Sequence, residues 1–216
     1  MSQITKKALS ASLKNLLHQK PLSKITISDI AEDCGVSRMT FYYYFTDIYD
    51  LVEWTCLEDA NRAIAGNKTY GTWQQGFYNI FKAVLDNRSF VSNVYHSVSR
   101  EHIEQYLYSV TYGLLADVVE ETAARIGVSV RDGDKKFIAD FYKYAFVGLL
   151  LAWIRDGMKE TPEKIIARLS ILVQGDMERA LKKYCAYPDG LPAAEPREPL
   201  PRPELEAASE PEQPTE

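Results

Sequence analysis

The sequence predicts an all-α protein whose first 50 residues form a three-helix unit and whose later helices form a larger second unit. Apolar residues recur at helical spacing along nearly the whole chain. No alternating apolar stretch is bracketed by an Asn-Gly or Asp-Gly turn, as hairpin strands would be. Candidate caps and helix breaks separate the apolar stretches and divide the chain into about nine helices.

Sequence signals at their ends place these helices in order. The first carries a leucine stripe that begins at Leu9, and Pro21 closes it. Beyond residue 50, further helices are expected over 72–87, 90–97, 101–126, 134–156 and 162–184. Gly127 stops the third of these, and Thr161 followed by Pro162 starts the last. A continuous helix is therefore expected from residue 162 to residue 184.

Charge is distributed unevenly along the 216 residues, although the net charge is only −5. Residues 187–216 hold eight acidic and two basic side chains, together with eight of the ten prolines, and are expected to form a disordered tail. Without this segment, which carries −6, the other 186 residues sum to +1. Residues 1–46 carry +3. A basic N-terminal end is therefore hidden by an acidic tail, and nucleic-acid binding is not excluded.

Several functional classes are not expected from this composition. The three cysteines lack CxxC spacing and the three histidines are isolated, so we expect neither a disulfide framework nor a metal site. No glycine-rich phosphate loop or nucleophile elbow occurs, so we expect no enzyme activity and no cofactor. A polar N-terminus and the lack of a long uncharged apolar stretch predict a cytoplasmic protein without a membrane partner.

The segment from Thr26 to Phe45 has the pattern of two short helices joined by a tight turn. Thr26 can cap the first helix, with Asp29 three residues later completing a capping box. Gly35 supplies the left-handed residue needed to leave that helix, and Ser37 can cap the second. This arrangement predicts a helix-turn-helix.

In the second of these helices, Phe41 and Phe45 are four residues apart and are expected to point inward. The side chains left on the sides and outer face are Arg38, Met39, Thr40, Tyr42 and Tyr43. In a major groove, Arg38 can bond guanine, while hydroxyl groups and helix amides hold phosphates. Spacing alone also allows the tyrosines at 42–44 to be a packing surface and Arg38 an ordinary solvated side chain.

Continued to Leu51, this segment resembles the TetR family of bacterial transcriptional regulators over about residues 4–55. The shared pattern is Ile-Ala at 30–31, Gly-Val-Ser at 35–37, and Thr, an apolar residue, Tyr, two aromatics and Phe at 40–45. The resemblance implies that DNA-contact positions are occupied by Thr26, Ser37, Arg38, Met39, Thr40, Tyr42, Tyr43 and Tyr44. The family usually opens its fourth helix with a phosphate-binding lysine, where this sequence has Ile48.

The resemblance also implies that residues 51–186 form a helical domain that dimerises and often holds a small ligand. Helix 134–156 is apolar almost all round in its second half, so it is expected to be buried on every side, either by a partner subunit or as the central core helix. The candidate interface residues are Leu150, Trp153, Ile165, Leu169 and Leu172. The stretch 146–158 resembles the C-terminal domain of regulators of dihydroxyacetone-kinase operons, over about residues 70–182.

Aromatic residues crowd the middle of the chain, where tyrosine hydroxyls can anchor a ligand in an apolar pocket or simply belong to the core. The candidate pocket residues are Phe77, Phe81, Tyr95, Tyr106, Phe141 and Tyr144. The sequence thus predicts a homodimeric regulator that reads a pseudo-palindromic site in double-stranded DNA and responds to a small-molecule effector. The alternative is an accessory regulator that acts mainly through protein contacts and binds little DNA of its own.

Overall fold

The structure, a computed structural model, describes residues 2–67 and 69–190. In that part of the chain it contains ten α-helices, one 3-10 helix (Leu22–Lys24) and no strands, which confirms the predicted all-α class. The helices are α1 (Ser2–Gln19), α2 (Ile27–Cys34), α3 (Arg38–Tyr44), α4 (Ile48–Ile64), α5 (Trp73–Asp86), α6 (Arg88–Ser97), α7 (Arg100–Ile126), α8 (Asp132–Arg155), α9 (Pro162–Val173) and α10 (Asp176–Cys185). From residue 191 onward, the predicted tail lies outside the described residues.

Hydrogen bonds at the starts of α2 and α3 form the caps that the sequence predicts. The Thr26 hydroxyl accepts a hydrogen bond from the Asp29 amide at 3.1 Å, and the Asp29 carboxylate accepts one from the Thr26 amide at 2.7 Å. Gly35 ends α2 with a φ of 69°, in the left-handed region that favours glycine. Ser37 accepts a hydrogen bond from the Thr40 amide at 3.1 Å and so begins α3.

A first hydrophobic core joins α1, α2, α3 and the start of α4. Leu9, Leu13, Ile30, Phe41 and Leu51 are completely inaccessible to solvent there. Helix α6 contributes two further buried residues to the same core, so the N-terminal helices are packed against a helix that lies far along the sequence.

A second hydrophobic core lies among α5, α7, α8, α9 and α10. Helices α7 and α8, joined by a short loop, form a long helical hairpin with extensive mutual packing. The rings of Phe77 and Phe146 stack with their centroids 3.9 Å apart, and Trp73 packs beside them. This core fixes the face that α8 buries within the subunit.

The prediction of one continuous helix over 162–184 is wrong. Helix α9 ends at Val173, and α10 begins at Asp176. Gly175 lies between them with a φ of 79°, which a right-handed helix cannot contain. The break accounts for ten α-helices where about nine are expected.

One helix of the described residues, α8, is long and apolar enough to cross a membrane by length and composition alone. Core helices of soluble proteins meet the same criterion. Helix α8 buries Tyr142, Phe146 and Leu150 against the rest of the subunit. Its composition is therefore weak evidence for a membrane span.

Candidate DNA interface

Helix α3 turns one side into the first core and presents the other to solvent. Phe41 is fully buried, whereas the side chains of Met39 and Tyr43 are 78% and 80% exposed. Tyr42 and Arg38 are exposed as well. We call Arg38, Met39, Tyr42 and Tyr43 the recognition face. It combines a cation, two hydroxyl groups and apolar contact area, the chemistry needed to contact bases and phosphates in a major groove.

The other candidate residues of this helix and turn hold the recognition face in place. Thr40 is half-buried, and its hydroxyl lies 3.0 Å from that of Ser37, the capping residue. Tyr44 is half-buried against the first core, and its ring meets the edge of the Tyr43 ring with centroids 4.8 Å apart. Direct DNA contacts by Ser37, Thr40 and Tyr44 remain predictions.

The start of α2 carries an acidic group whose charge is balanced locally. Lys20 donates to the Asp29 carboxylate at 2.9 Å, and this hydrogen bond, with those from Thr26, lowers the pKa of Asp29 to about 2. Asp29 is therefore ionised near neutral pH, with a lysine beside it. The neighbouring Thr26 is exposed, but its amide and its hydroxyl both donate to the Asp29 carboxylate, so its DNA contact stays a prediction.

Most basic side chains of residues 1–46 already have partners within the protein. Salt bridges join Lys7 to Glu58, Lys14 to Asp59 and Lys20 to Asp29. Lys6 lies over the Phe45 ring, 5.3 Å from its centroid. In the part of the chain that the structure describes, Lys24 and Arg38 form no salt bridge within 4.0 Å. Lys24, which ends the 3-10 helix before α2, and Arg38, which starts α3, are the cations best placed to attract DNA.

Sequence reasoning missed Tyr49, which lies at the start of α4 beside the helix-turn-helix. Its side chain is 54% exposed, while the preceding Ile48 packs partly into the first core. The departure from the family pattern at Ile48 therefore places an apolar side chain inward and a tyrosine hydroxyl outward. Because successive residues of a helix point about 100° apart, the Ile48-Tyr49 pair was the available signal for this.

The six candidate pocket residues of the second unit do not surround one space. Phe77 and Phe81 are tightly packed in the second core. Phe141 and Tyr144 are 62% and 54% exposed on the outer side of α8, so the prediction that they line a pocket is wrong. Tyr95 is half-buried, with its ring against His96. An all-round apolar composition cannot tell which side of α8 faces inward, and this explains the error.

Tyr106 is the sixth candidate, and its hydroxyl oxygen is buried without a hydrogen-bond partner among the described residues. Burial, together with the nearby Cys56 thiol, raises the pKa of Tyr106 far above its ordinary value. Burial also raises the pKa of Cys56 to about 12. Both groups are therefore neutral near pH 7, and the unpartnered hydroxyl is unfavourable by about 1–3 kcal/mol.

The predicted dimer interface also needs correction. Leu150, Trp153 and Leu169 are only 5%, 7% and 5% exposed, because they fill the second core of a single subunit. The Trp153 indole N–H also donates to the Glu160 carbonyl at 2.8 Å. These three side chains are not available to a partner. Leu172 is 68% exposed and Ile165 is half-buried, so their assignment remains a prediction.

The opposite side of α8 is exposed and apolar. Phe137, Phe141 and Leu149 are 62%, 62% and 45% exposed. Ala145 and Gly148 lie between them on the same stripe, at intervals of three and four residues. We call these five residues the α8 face. Such a run of exposed apolar side chains is typical of a protein–protein interface.

A helix-turn-helix with an outward recognition helix, followed by a helical unit with an exposed apolar face, defines a DNA-binding transcriptional regulator. A family model described as bacterial regulatory proteins of the tetR family matches residues 10–54, and one described as a transcriptional regulator C-terminal region matches residues 71–175. The chain belongs to the TetR family, as the helix-turn-helix segment predicts.

Similarity to individual proteins covers both units. The HTH-type dhaKLM operon transcriptional activator DhaS of Lactococcus lactis is 25% identical over 140 residues, which are 65% of this chain and 74% of that protein. A solved structure of the dihydroxyacetone kinase operon activator DhaS has a TM-score of 0.66 at 22% identity and covers 84% of this chain and 98% of that one. The resemblance of about residues 70–182 to regulators of dihydroxyacetone-kinase operons is thereby confirmed.

Two further relatives differ in which part they share. The HTH-type transcriptional regulator EthR of Mycobacterium tuberculosis is 47% identical over 38 residues, 18% of either chain. NalD, the secondary repressor of the MexAB-OprM multidrug efflux pump in Pseudomonas aeruginosa, has a TM-score of 0.52 at 16% identity and covers 84% of this chain and 98% of that one. Sequence identity is thus highest over a short segment, while the fold extends over most of the chain.

Proposed function

We propose that this protein is a homodimeric, non-catalytic regulator that binds a pseudo-palindromic DNA site and responds to a small effector in its C-terminal unit. The observation that carries the proposal is the recognition face: a short capped helix that exposes Arg38, Met39, Tyr42 and Tyr43 while Phe41 fixes it to the core. The working division is residues 1–50 for DNA binding, 51–186 for dimerisation and effector binding, and 187–216 as a tail. The cytoplasm is the compartment in which such a regulator acts.

On the DNA, α3 lies in the major groove and Arg38 reads a guanine. The hydroxyl groups of Tyr42 and Tyr49 and the cation of Lys24 contact phosphates and set the register. The Tyr49 hydroxyl substitutes for the lysine contact that Ile48 cannot make. Since two unpaired cations per subunit give few ionic phosphate contacts, DNA binding should depend on salt only moderately.

Dimerisation uses the α8 face. A side chain at Gly148 would meet no atom within 4 Å in the subunit, so nothing within one chain requires glycine there. Glycine in the middle of a helix is unfavourable by about 0.5–1 kcal/mol relative to alanine. Close approach of a second α8 accounts for glycine at this position, flanked by the large side chains of Phe141 and Leu149. A palindromic site requires that two-fold pairing of this face bring two copies of α3 to one side of the dimer.

The test is an electrophoretic mobility shift with the DNA upstream of the protein's own gene. The expected result is one retarded species at nanomolar protein, and an Arg38→Ala variant with unchanged circular dichroism should need roughly 5- to 150-fold more protein for the same shift. An Arg100→Ala variant, changed at an exposed arginine that pairs with Glu104 along α7, is the control and should bind as the parent does. Absence of any shift, with a folded dimer, would favour an accessory regulator that acts through protein contacts.

A further inference from the structure

A cavity of about 250 Å³ lies in the second unit, at the end where α9 breaks into α10. Its walls come from the start of α5, the middle of α7 and α8, and the α9–α10 junction. It does not involve the six aromatic residues that the sequence singled out as a pocket. None of the residues that line it has a part in the DNA or dimer surfaces described above.

Part of the wall is apolar. The rings of Trp73 and Phe146 form one side, with centroids 6.0 Å apart, and Leu115 and Val118 form the base. Phe146 is held from behind by its stacking on Phe77. These side chains are fixed by the second core, so the cavity presents a preformed surface suited to a flat ring.

The polar groups of the wall are uncharged. Gln74 and Gln174 bring two side-chain amides to the cavity, and Gln74 donates to the Ser170 hydroxyl at 3.1 Å, which leaves its carbonyl oxygen to accept. Among the described residues that line the cavity, none carries a formal charge. A ligand with a net charge would therefore be desolvated without an opposite charge to stabilise it.

Charged side chains close to the rim are paired with one another. Arg125 donates to Glu178 at 2.5 Å and lies over the ring of Tyr70, 4.0 Å from its centroid. The Tyr70 amide donates to Glu121 at 2.8 Å. These contacts hold Tyr70 as one wall of the cavity and leave little unbalanced charge at its entrance.

The residues just after α4 also pass close to the backbone of α5. A side chain at Gly76 would lie only 2.8 Å from the Asn67 carbonyl oxygen, so glycine is needed for the loop to pass this close to α5. The side-chain amide of Asn79 donates to the Ala63 carbonyl at 3.0 Å. The end of α4 and the residues just after it are therefore held against α5.

We propose that this cavity is the effector site and that it binds a small, uncharged ligand with one aromatic ring and one amide-like or hydroxyl group. The ligand's ring packs against Trp73 and Phe146, and its polar group bonds to Gln74 and Gln174. This inference rests on the proposed function, because it assigns the effector of the same regulator.

The size of the cavity sets the size of the ligand. Its volume equals that of roughly eight water molecules in the liquid, at about 30 Å³ each. Drug-sized ligands occupy pockets of about 300–1,000 Å³. A compound of about eight to ten non-hydrogen atoms fits, which means one ring with one short substituent.

Helix α8 connects this cavity to the dimer surface. Phe146 lines the cavity, whereas Phe141 and Gly148 lie on the other side of the same helix. A ligand that packs against Phe146 better in one position of α8 than in another would favour that position. The spacing of the two recognition helices would then change with it.

Benzamide and benzoate test the proposed chemistry, because they have the same shape and nine non-hydrogen atoms each and differ in charge. Isothermal titration calorimetry with the full chain should show benzamide binding at least tenfold more tightly than benzoate. Benzamide should also raise the unfolding temperature of the protein. Equal affinity for the two compounds, or no binding of benzamide at millimolar concentration, would overturn the proposal.

Paired variants locate the binding. Gln174→Glu places a charge at the cavity on a residue that is exposed to solvent, so the fold should persist, and benzamide affinity should fall at least tenfold. Gln105→Glu makes the same change on the exposed side of α7, away from the cavity, and should leave the affinity unchanged. Equal affinities in both variants would show that benzamide binds elsewhere, and the site would be wrong.

Mobility shifts with the same proteins separate this inference from the function on which it rests. A chain that binds its upstream DNA but not benzamide would contradict the effector site alone. A chain that binds benzamide in the cavity and no DNA would contradict the proposed function and leave the ligand site standing.

Discussion

Two surfaces of the molecule expose large side chains, and they differ in what those side chains can bond. The recognition face of α3 exposes Tyr42 and Tyr43 beside the guanidinium of Arg38. The α8 face exposes Phe137, Phe141 and Leu149, which have no polar atoms in their side chains. The first suits a wet, polar interface such as that with DNA, and the second suits a dry interface between protein chains.

The difference shows that exposure alone does not identify a partner. Both helices leave apolar area in water, and both are held from behind by a buried aromatic, Phe41 in α3 and Phe146 in α8. What separates them is that only the recognition face carries hydrogen-bonding groups on its own exposed side chains. Changes to one face should therefore alter one kind of binding directly, and the sizes of the effects can be ranked.

The largest effect is expected from Phe141→Glu on the α8 face. The charge would be buried against a second copy of the face, so the protein should become monomeric, and operator affinity should fall about a thousandfold or more, to the non-specific level. Analytical ultracentrifugation reports the mass, and footprinting reports DNA binding.

Two further variants control this experiment. Gly148 has open space around it in the subunit, so the Gly148→Leu variant should fold and should also be monomeric. Tyr187→Glu adds the same charge at an exposed residue beyond α10 and should remain dimeric. If Phe141→Glu and Gly148→Leu both stay dimeric, the α8 face is not the dimer surface.

The next effect concerns the recognition face. Arg38→Ala should weaken operator binding by about 1–3 kcal/mol, or roughly 5- to 150-fold, and relax the preference at one base pair, because a bidentate contact to guanine is lost. Competition binding with operators that vary at each position measures both effects. Unchanged affinity and unchanged preference would remove Arg38 from base reading.

A change inside the second unit should affect stability and neither face. Tyr106→Phe removes the buried hydroxyl that has no partner among the described residues, so the free energy of unfolding should rise by about 1–3 kcal/mol. Thermal unfolding measures this. Tyr78→Phe is the matched control, since the Tyr78 hydroxyl donates to Glu163 at 2.9 Å and its loss should not stabilise the protein. A lower stability of Tyr106→Phe would contradict the buried, unpartnered environment.

A smaller effect is expected when one hydroxyl is removed from the recognition face. Tyr42→Phe should weaken operator and non-operator DNA alike by about 0.5–1.5 kcal/mol, because a phosphate contact carries no sequence information. Fluorescence anisotropy with both DNAs gives the two affinities. A loss confined to the operator would mean that Tyr42 reads a base.

The smallest effect is the pH dependence of the α2 cap. The pKa of Asp29 is lowered from 3.8 to about 2, so its stabilisation is present above pH 4 and is lost as the pH falls through about 2. Asp29→Asn should therefore lower the unfolding temperature at pH 6, and the difference from the parent should shrink as the pH approaches 2. A difference that is constant over this range would show that the ionised carboxylate is not what stabilises the cap.

The helix-turn-helix was predictable because its signals are local. The bonds that define its caps join residues three apart, such as Thr26 and Asp29, and its turn needs one left-handed residue at Gly35. The spacing of Phe41 and Phe45 then determines which side faces outward. Tyr49 was missed because the family pattern has its phosphate-binding lysine one residue earlier, at the position of Ile48.

The second unit could be predicted as helices but not as surfaces. The second half of α8 is apolar on nearly all sides, so periodicity could not show that Leu150 and Trp153 face inward, away from the side that exposes Phe141. That choice is made by packing against α5 and α7, which lie far away in sequence. The break at Gly175 was missed because an isolated glycine within a helical pattern is usually tolerated.

Hydroxyl-radical footprinting of the parent protein on its upstream DNA tests most directly the claim that α3 reads DNA as one of a pair held together by α8. We expect two protected regions whose centres lie about one helical turn, roughly 34–36 Å, apart on one face of the duplex. Both should disappear together in Phe141→Glu. A single protected region, or two regions that persist in a monomeric variant, would contradict the coupling of the α8 face to DNA reading.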